Sequence, residues 1–230
     1  MIARIALPLA ALALALTACS GQGRPRGPRD IELSADPSAV VTAELAFARL
    51  AQEKGQWTAF AEYATDDAVM FVPEPVNAKQ WLKKQANPAK AVVWQPYQVW
   101  SSCDGSLAAT KGAWQRPDGS VGYFTTVWQR QRKLEYKWVM DQGDGLAEPL
   151  PVPDMVEAKA ADCAAFDAPE PAGDPVEPSA VVQGGESIDG TLRWSVVVRP
   201  DMSRSVAVTM LSNGRFERVL DLRVAAPNGG

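Results

Sequence analysis

The sequence predicts an α+β fold: N-terminal helices followed by a four-stranded antiparallel meander, with a small C-terminal β-meander. Three observations predict it. Between Val92 and Asp144 the runs VVWQPYQVWS, SLAATKGAWQ, SVGYFTTVWQRQR and EYKWVMDQ are separated by Asp104-Gly105, Pro117-Asp118-Gly119 and Lys133, the pattern of an antiparallel meander. Ahead of these runs, apolar residues recur at helical spacing. Behind them, a proline-rich stretch leads into further β-like runs.

The first helix is announced by Asp36 as N-cap and Pro37 at the first helical position, with Val40, Ala43, Phe47, Leu50 and Ala51 forming its apolar stripe and Gly55 its stop. A second helix is expected over Trp57 to Ala64, with Trp57, Phe60, Ala61 and Ala64 on one side. Ala68 to Val72 then reads as a strand stopped by Pro73 and Pro75. Asn77 caps a third helix, Ala78 to Gln85, which Asn87-Pro88 breaks. In the third run of the meander Phe124, Thr126 and Trp128 share one face and Tyr123, Thr125 and Val127 the other, so both faces are expected to meet protein or line a cavity. After Gly145 the prolines of PLPVPD and DAPEPAGDPVEPS flank a short helix expected over Met155 to Phe166, where Asp154 and Glu157 stand in capping-box spacing. Three runs close the chain, Thr191 to Arg199, Ser205 to Leu211 and Arg215 to Val224, with Asn213-Gly214 as a hairpin signal between the last two.

Composition excludes several functions. The 230 residues are 47% apolar and 22% charged, with 23 basic residues spread among 27 acidic ones and a net charge of −4, so nothing forms the basic stripe of a nucleic-acid binder. The chain has no histidine. That removes the usual zinc ligand, the usual general base near neutral pH and every imidazole-dependent dyad or triad. No metal site and no cofactor is expected.

At the N-terminus Arg4 precedes the apolar run Ile5 to Leu16, and Leu16-Thr17-Ala18-Cys19 closes it with small residues. This resembles a bacterial lipoprotein signal peptide with its lipobox, and the run is too short to span a bilayer. The resemblance implies that residues 1–18 are removed, that Cys19 carries the lipid and that the chain meets the membrane through it. Ser20 in place of aspartate is similar to the outer-membrane sorting pattern, so the implied location is the outer membrane facing the periplasm. Residues 19–35, rich in glycine, proline and arginine, read as a flexible tether. Once Cys19 is acylated, Cys103 and Cys163 are the two thiols left in an oxidising compartment, and a disulfide between them is expected. The bland alternative is a pair of buried free cysteines.

The order helix, glycine, aromatic-bearing short helix, Thr65-Asp66-Asp67-Ala68-Val69, AKQWLKK and the long final runs GYFTTVWQRQ and YKWVMDQGD resembles the nuclear-transport-factor-2-like superfamily, more narrowly its SnoaL-like and ketosteroid-isomerase-like branch. The resemblance covers about residues 37–144 and implies a cone-shaped, curved antiparallel sheet wrapped around the N-terminal helix, leaving an open-ended conical pocket, with dimerisation through the sheet common in such domains. The chain then divides into a pocket domain over 36–145, a proline-rich connection over 146–185 and a three-stranded meander over 186–225. Fold alone selects no activity. Catalytic members of the resemblance place an aspartate base beside tyrosine or a protonated acid. Here the acid candidates are Glu74, between two prolines, and Asp67, though Asp66 and Asp67 more simply cap or turn the backbone before a strand. Asp141 and Asp144, ending the last run, read as solvated or turn-forming. Seven of the eight tryptophans lie between positions 57 and 138. They serve a curved core or an aromatic pocket, and Tyr63, Tyr97, Trp114, Tyr123 and Trp128 are the candidate lining. The function this points to is an envelope lipoprotein whose cone binds a small apolar ligand or an envelope protein without catalysis. The alternatives are an isomerase or dehydratase using carboxylate acid-base chemistry, and an interaction module whose own side chains fill the pocket.

Overall fold

The computed structural model describes residues 34–163 and 176–227. Residues 1–33, which include Cys19, lie outside them. Asp36 caps helix α1 (Pro37–Lys54), its Oδ1 accepting from the Ala39 amide at 3.0 Å. Val40, Glu44, Phe47 and Ala51 form the buried stripe, the spacing that one face of a 3.6-residue helix requires. Gly55, at φ 101°, then reverses the chain into α2 (Gln56–Tyr63). A Cβ there would lie 2.4 Å from the Asn87 side chain. Asn87 needs that space because its Oδ1 accepts from the Trp57 and Thr58 amides at 2.7 and 3.2 Å, satisfying the open donors of α2.

Strand β1 (Ala64–Phe71), short β2 (Pro75–Asn77) and helix α3 (Ala78–Leu82) lead to the meander β3 (Val93–Ser101), β4 (Leu107–Gln115), β5 (Val121–Arg130) and β6 (Tyr136–Leu146). With β7 (Glu157–Ala160) they make one sheet in the order β2-β1-β6-β5-β4-β3-β7. The meander pairs antiparallel as expected, but the sheet is mixed. β1 runs parallel to β6 and β7 parallel to β3. In both cases the chain crosses over before it pairs, which leaves the two strands pointing the same way. The helix expected from Met155 is overturned over its described part. Glu157–Ala160 pairs with Gln98–Ser101 as an edge strand, because ladder bonds to β3 outweigh the helix preference of two alanines. Residues 164–166 of that expected helix lie outside the described residues.

The C-terminal meander has four strands where three were expected: β8 (Val181–Glu186), β9 (Leu192–Val198), β10 (Arg204–Ser212) and β11 (Arg215–Val224), in the order β11-β10-β9-β8. Asn213 and Gly214, at φ 52° and 75°, make the tight turn between the last two.

The two faces of the larger sheet pack differently. On one, Trp94, Val99, Ala108, Phe124, Trp128 and Trp138 meet α1 through Val40, Phe47 and Ala51. On the other, Trp100, Leu107, Ala109, Val127 and Met140 meet Leu192, Val196, Val206, Val208, Met210 and Leu220 of the second sheet. The face of the larger sheet turned away from α1 is therefore covered within the chain. Cys103, after β3, is bonded to Cys163, beyond β7, with Cα atoms 5.1 Å apart. The same turn is held to the second sheet by Cys103 N donating to Thr191 Oγ1 at 3.0 Å and Asp104 N to Asp189 Oδ2 at 2.8 Å.

Candidate functional site

Between the helices and the concave face of the larger sheet lies a cavity of about 520 Å³. Phe47 of α1, Trp57 and Phe60 of α2, Met70 and Phe71 of β1, Trp94 of β3, Trp114 of β4, and Phe124 and Thr126 of β5 line it, with Asp141 to Gly145 of β6 completing the wall. Its aromatic rings are packed edge to face: Phe47 with Phe60 and with Trp94, each at 4.8 Å, and Trp57 with Phe60 at 5.5 Å. The exposed cations Lys90 and Arg116 stand at its edge, and the Arg116 guanidinium lies 4.4 Å above the Trp114 ring.

The polar part of the site is one row across the sheet. Strand register places Thr110, Thr126 and Asp141 side by side on β4, β5 and β6. Thr126 Oγ1 donates to Asp141 Oδ2 at 2.7 Å. Desolvation pushes the Asp141 carboxyl up to about 7, against the lowering effect of the Thr126 bond, and the neighbouring Glu44 charge adds to the rise. Asp141 makes no ion pair among the described residues. Behind the cavity wall Glu44 is fully buried. Its Oε1 accepts from Trp94 Nε1 at 2.9 Å, and its Oε2 accepts from Thr110 Oγ1 at 2.7 Å and Trp128 Nε1 at 3.0 Å. Burial raises its pKa even with three donors pointing at it. Glu44 does not line the cavity but fixes the indole of Trp94, which does.

On the opposite face of β6, Arg204 of β10 is buried and donates to Gln142 Oε1 at 3.2 and 3.3 Å and to the Gly143 carbonyl at 2.8 Å. The second sheet thus holds the strand that carries Asp141.

Of the five aromatic residues singled out from sequence, only Trp114 lines the cavity. Its indole lies against Gly122, where a Cβ would be 2.2 Å from Cζ2, and its Nε1 donates to the Tyr123 carbonyl at 2.9 Å. Trp128 is core, wholly buried beneath Glu44. Tyr63 packs against Phe47 and Trp128. Tyr97 is half-buried at the irregularity of β3, and Tyr123 is buried outside the cavity lining. Neither acid candidate lies in the cavity lining. Glu74 is exposed in the turn between β1 and β2, and Asp67 is exposed, accepting from Thr65 Oγ1 at 2.7 Å. Asp66 pairs with Lys79 at 2.6 Å. Both aspartates belong to β1 and not to a turn before it.

The solvated reading of Asp141 is corrected by its desolvated place in the wall. β6 runs on to Leu146, so Asp141 stands inside the strand and not at its end. Val127 pairs with Met140 but Trp128 with Trp138, so Val139 is an extra residue on β6. A bulge reverses the in-out alternation, and counting by twos from Trp138 therefore puts Asp141 on the wrong face. Glu44 left a clearer sign, standing four residues after Val40 and three before Phe47, on the apolar stripe. Among the described residues no group of three or more acidic or cysteine side chains is placed to hold a metal ion.

No family model and no curated protein matches this chain. Solved structures similar to about half of this chain include a proposed ketosteroid isomerase from Parabacteroides distasonis, at 13% identity and a TM-score of 0.39, covering 50% of this chain and 97% of that one. A nuclear-transport-factor-2-like protein of unknown function from Shewanella baltica is 11% identical, at a TM-score of 0.36, covering 48% of this chain and 94% of that one. Another from Pseudomonas aeruginosa is 15% identical, at a TM-score of 0.35, covering 48% and 97%. At TM-scores this low the likeness assigns neither family nor activity, and the strand order stands on the chain's own pairing.

Proposed function

We propose that this chain is a ligand-binding protein whose concave cavity takes a small, largely apolar molecule without turning it over, and that Cys19 anchors it to the envelope. The observation that carries the binding reading is a 520 Å³ cavity walled by aromatic rings and holding one desolvated carboxyl, Asp141. Apolar walls with few convergent polar groups are the usual composition of a small-molecule site. Asp144 also borders the cavity, but its charge acts on Arg204 and Tyr123, and among the described residues no hydrogen bond joins it to Asp141, which counts against paired acid-base catalysis. The nearest buried acid, Glu44, is shielded behind Trp94 and already engaged by three donors.

The isomerase reading keeps one supporting observation, since a carboxyl at about 7 suits a general acid or base near neutral pH. Both are tested on protein purified from its own envelope. Native mass spectrometry should show a bound small molecule, lost when Met70→Trp fills the cavity while the variant stays folded. An unchanged mass in both proteins refutes binding. Isomerisation of an unsaturated ketone that disappears in Asp141→Asn would replace the non-catalytic reading. The anchor is tested separately, by the loss of acyl labelling and of membrane fractionation in Cys19→Ala. Labelling of the variant at the wild-type level overturns it.

A further inference from the structure

We propose that the cavity is selective for organic cations: a ligand whose ammonium group sits against the aromatic walls and pairs with the Asp141 carboxylate. This rests on the cavity being a ligand site and adds the charge of the ligand. The interior has two features that a cation uses together. Ring faces carry negative quadrupolar charge and attract ammonium groups, most strongly where water is excluded. The wall already shows this affinity, because Trp114 holds the Arg116 guanidinium 4.4 Å from its ring centre.

The second feature is an acid without a counter-charge. Asp141 accepts one hydrogen bond, on Oδ2 from Thr126, and its Oδ1 has no hydrogen-bond donor among the described residues. A desolvated carboxylate is costly unless paired. An incoming ammonium supplies the partner that the chain does not.

The charged groups around Asp141 set the competition. Glu44 from α1 favours a cation, while the Asp144 carboxylate of β6 stands opposite Tyr123 and acts on Arg204. Lys90 and Arg116 oppose one, but both are exposed at the edge, where water and salt screen them. Arg204 acts from the far side of β6, its guanidinium held by Gln142 and the Gly143 carbonyl.

The sign of the pH dependence follows. A cation binds the ionised form of Asp141, which is the minor form below about pH 7 and the major form above it. Affinity for a cation should therefore rise with pH, by about tenfold between pH 6 and pH 8, while a neutral ligand gains nothing.

The experiment is calorimetric titration of the full chain with three probes that share one ring system: naphthylmethylammonium, naphthylmethanol and naphthoate. Naphthylmethylammonium should bind about tenfold more tightly than the alcohol at pH 8, close to the alcohol at pH 6, and without its advantage in Asp141→Asn. The wild-type pH profile reads the same property without any variant. Equal affinity of the ammonium and the alcohol at pH 8 overturns the cation assignment and leaves the cavity reading standing. Tighter binding of naphthoate also overturns it, in favour of recognition by Lys90 and Arg116. Failure of all three probes to bind overturns the cavity reading itself, and the cation assignment with it.

Discussion

The two faces of the larger sheet are built from the same strands and do opposite work. Along β5, Phe124, Thr126 and Trp128 turn to the concave side, where Phe124 and Thr126 line a cavity and Trp128 holds Glu44. Tyr123, Thr125 and Val127 turn the other way, and Val127 is buried among the aliphatic side chains of the second sheet. One face keeps space, aromatic rings and two acids. The other is filled with valine, leucine and methionine contributed by a second sheet. The difference teaches that the C-terminal meander is not an appendage. It closes the face that would otherwise expose Trp100, Leu107, Val127 and Met140, and through Arg204 it holds the strand that bears Asp141.

The largest effect should come from breaking the filled face. Val127→Asp places a charge among Met140, Val196 and Val206 with no partner, and should cost roughly 4 kcal/mol or more, enough to unfold much of the population. Urea denaturation checks it. A loss below about 1 kcal/mol would mean that the second sheet does not pack there.

Next comes the disulfide that clips the chain beyond β7 to the turn after β3, at the edge of the larger sheet. Cys103→Ser with Cys163→Ser opens a 60-residue separation and, in the chain-entropy model, removes about 4 kcal/mol, an upper figure. Two modified cysteines after alkylation of denatured, unreduced wild-type protein would show the bond absent. Because Thr191 and Asp189 also bind the Cys103–Asp104 turn, the second sheet should stay docked in the double variant. Protection of the β9 and β10 amides from hydrogen exchange reads this.

The smallest effect belongs to the open face and has the opposite sign. Asp141 binds its proton more tightly folded than unfolded, since its pKa rises from 3.8 to about 7. The folded state then carries the extra proton between those values, so this group's contribution to stability falls as pH rises through that window and levels off above it. Asp141→Asn removes that loss and should stabilise the protein at pH 8 by about 1–2 kcal/mol, less than full conversion of the shift because the cavity admits solvent. At pH 4 the variant and the wild type should unfold at nearly the same urea concentration. A variant less stable than wild type at pH 8 would contradict a desolvated, unpaired carboxyl.

Much of the fold was legible because local signals and tertiary packing agree there. Asp36-Pro37 and Gly55 bracket α1, and Asn213-Gly214 makes the turn it announces. Where they diverge, the sequence misleads. Alanines around Glu157 favour a helix, yet the free edge of β3 takes them as a strand. Gly184 and Gly185 hide β8, which exists by pairing with β9 and buries little. The parallel pairing of β1 with β6 joins segments some seventy residues apart and leaves no local mark. The site was less legible than the fold. Aromatic residues were plain to see, but which of them face a cavity depends on strand parity, and the extra residue Val139 reverses parity just before the acid that matters. Glu74 attracts notice through its prolines and lies in solvent.

The measurement closest to the central claim is the titration of the Asp141 side-chain carboxyl carbon by nuclear magnetic resonance, in the ligand-free protein, assigned by comparison with Asp141→Asn. A single carboxyl resonance with its midpoint at about 7, missing in the variant, is the result predicted for one desolvated acid in an aromatic cavity. A midpoint in the ordinary carboxylate range would place Asp141 in water and would contradict the cavity as the functional face of the sheet.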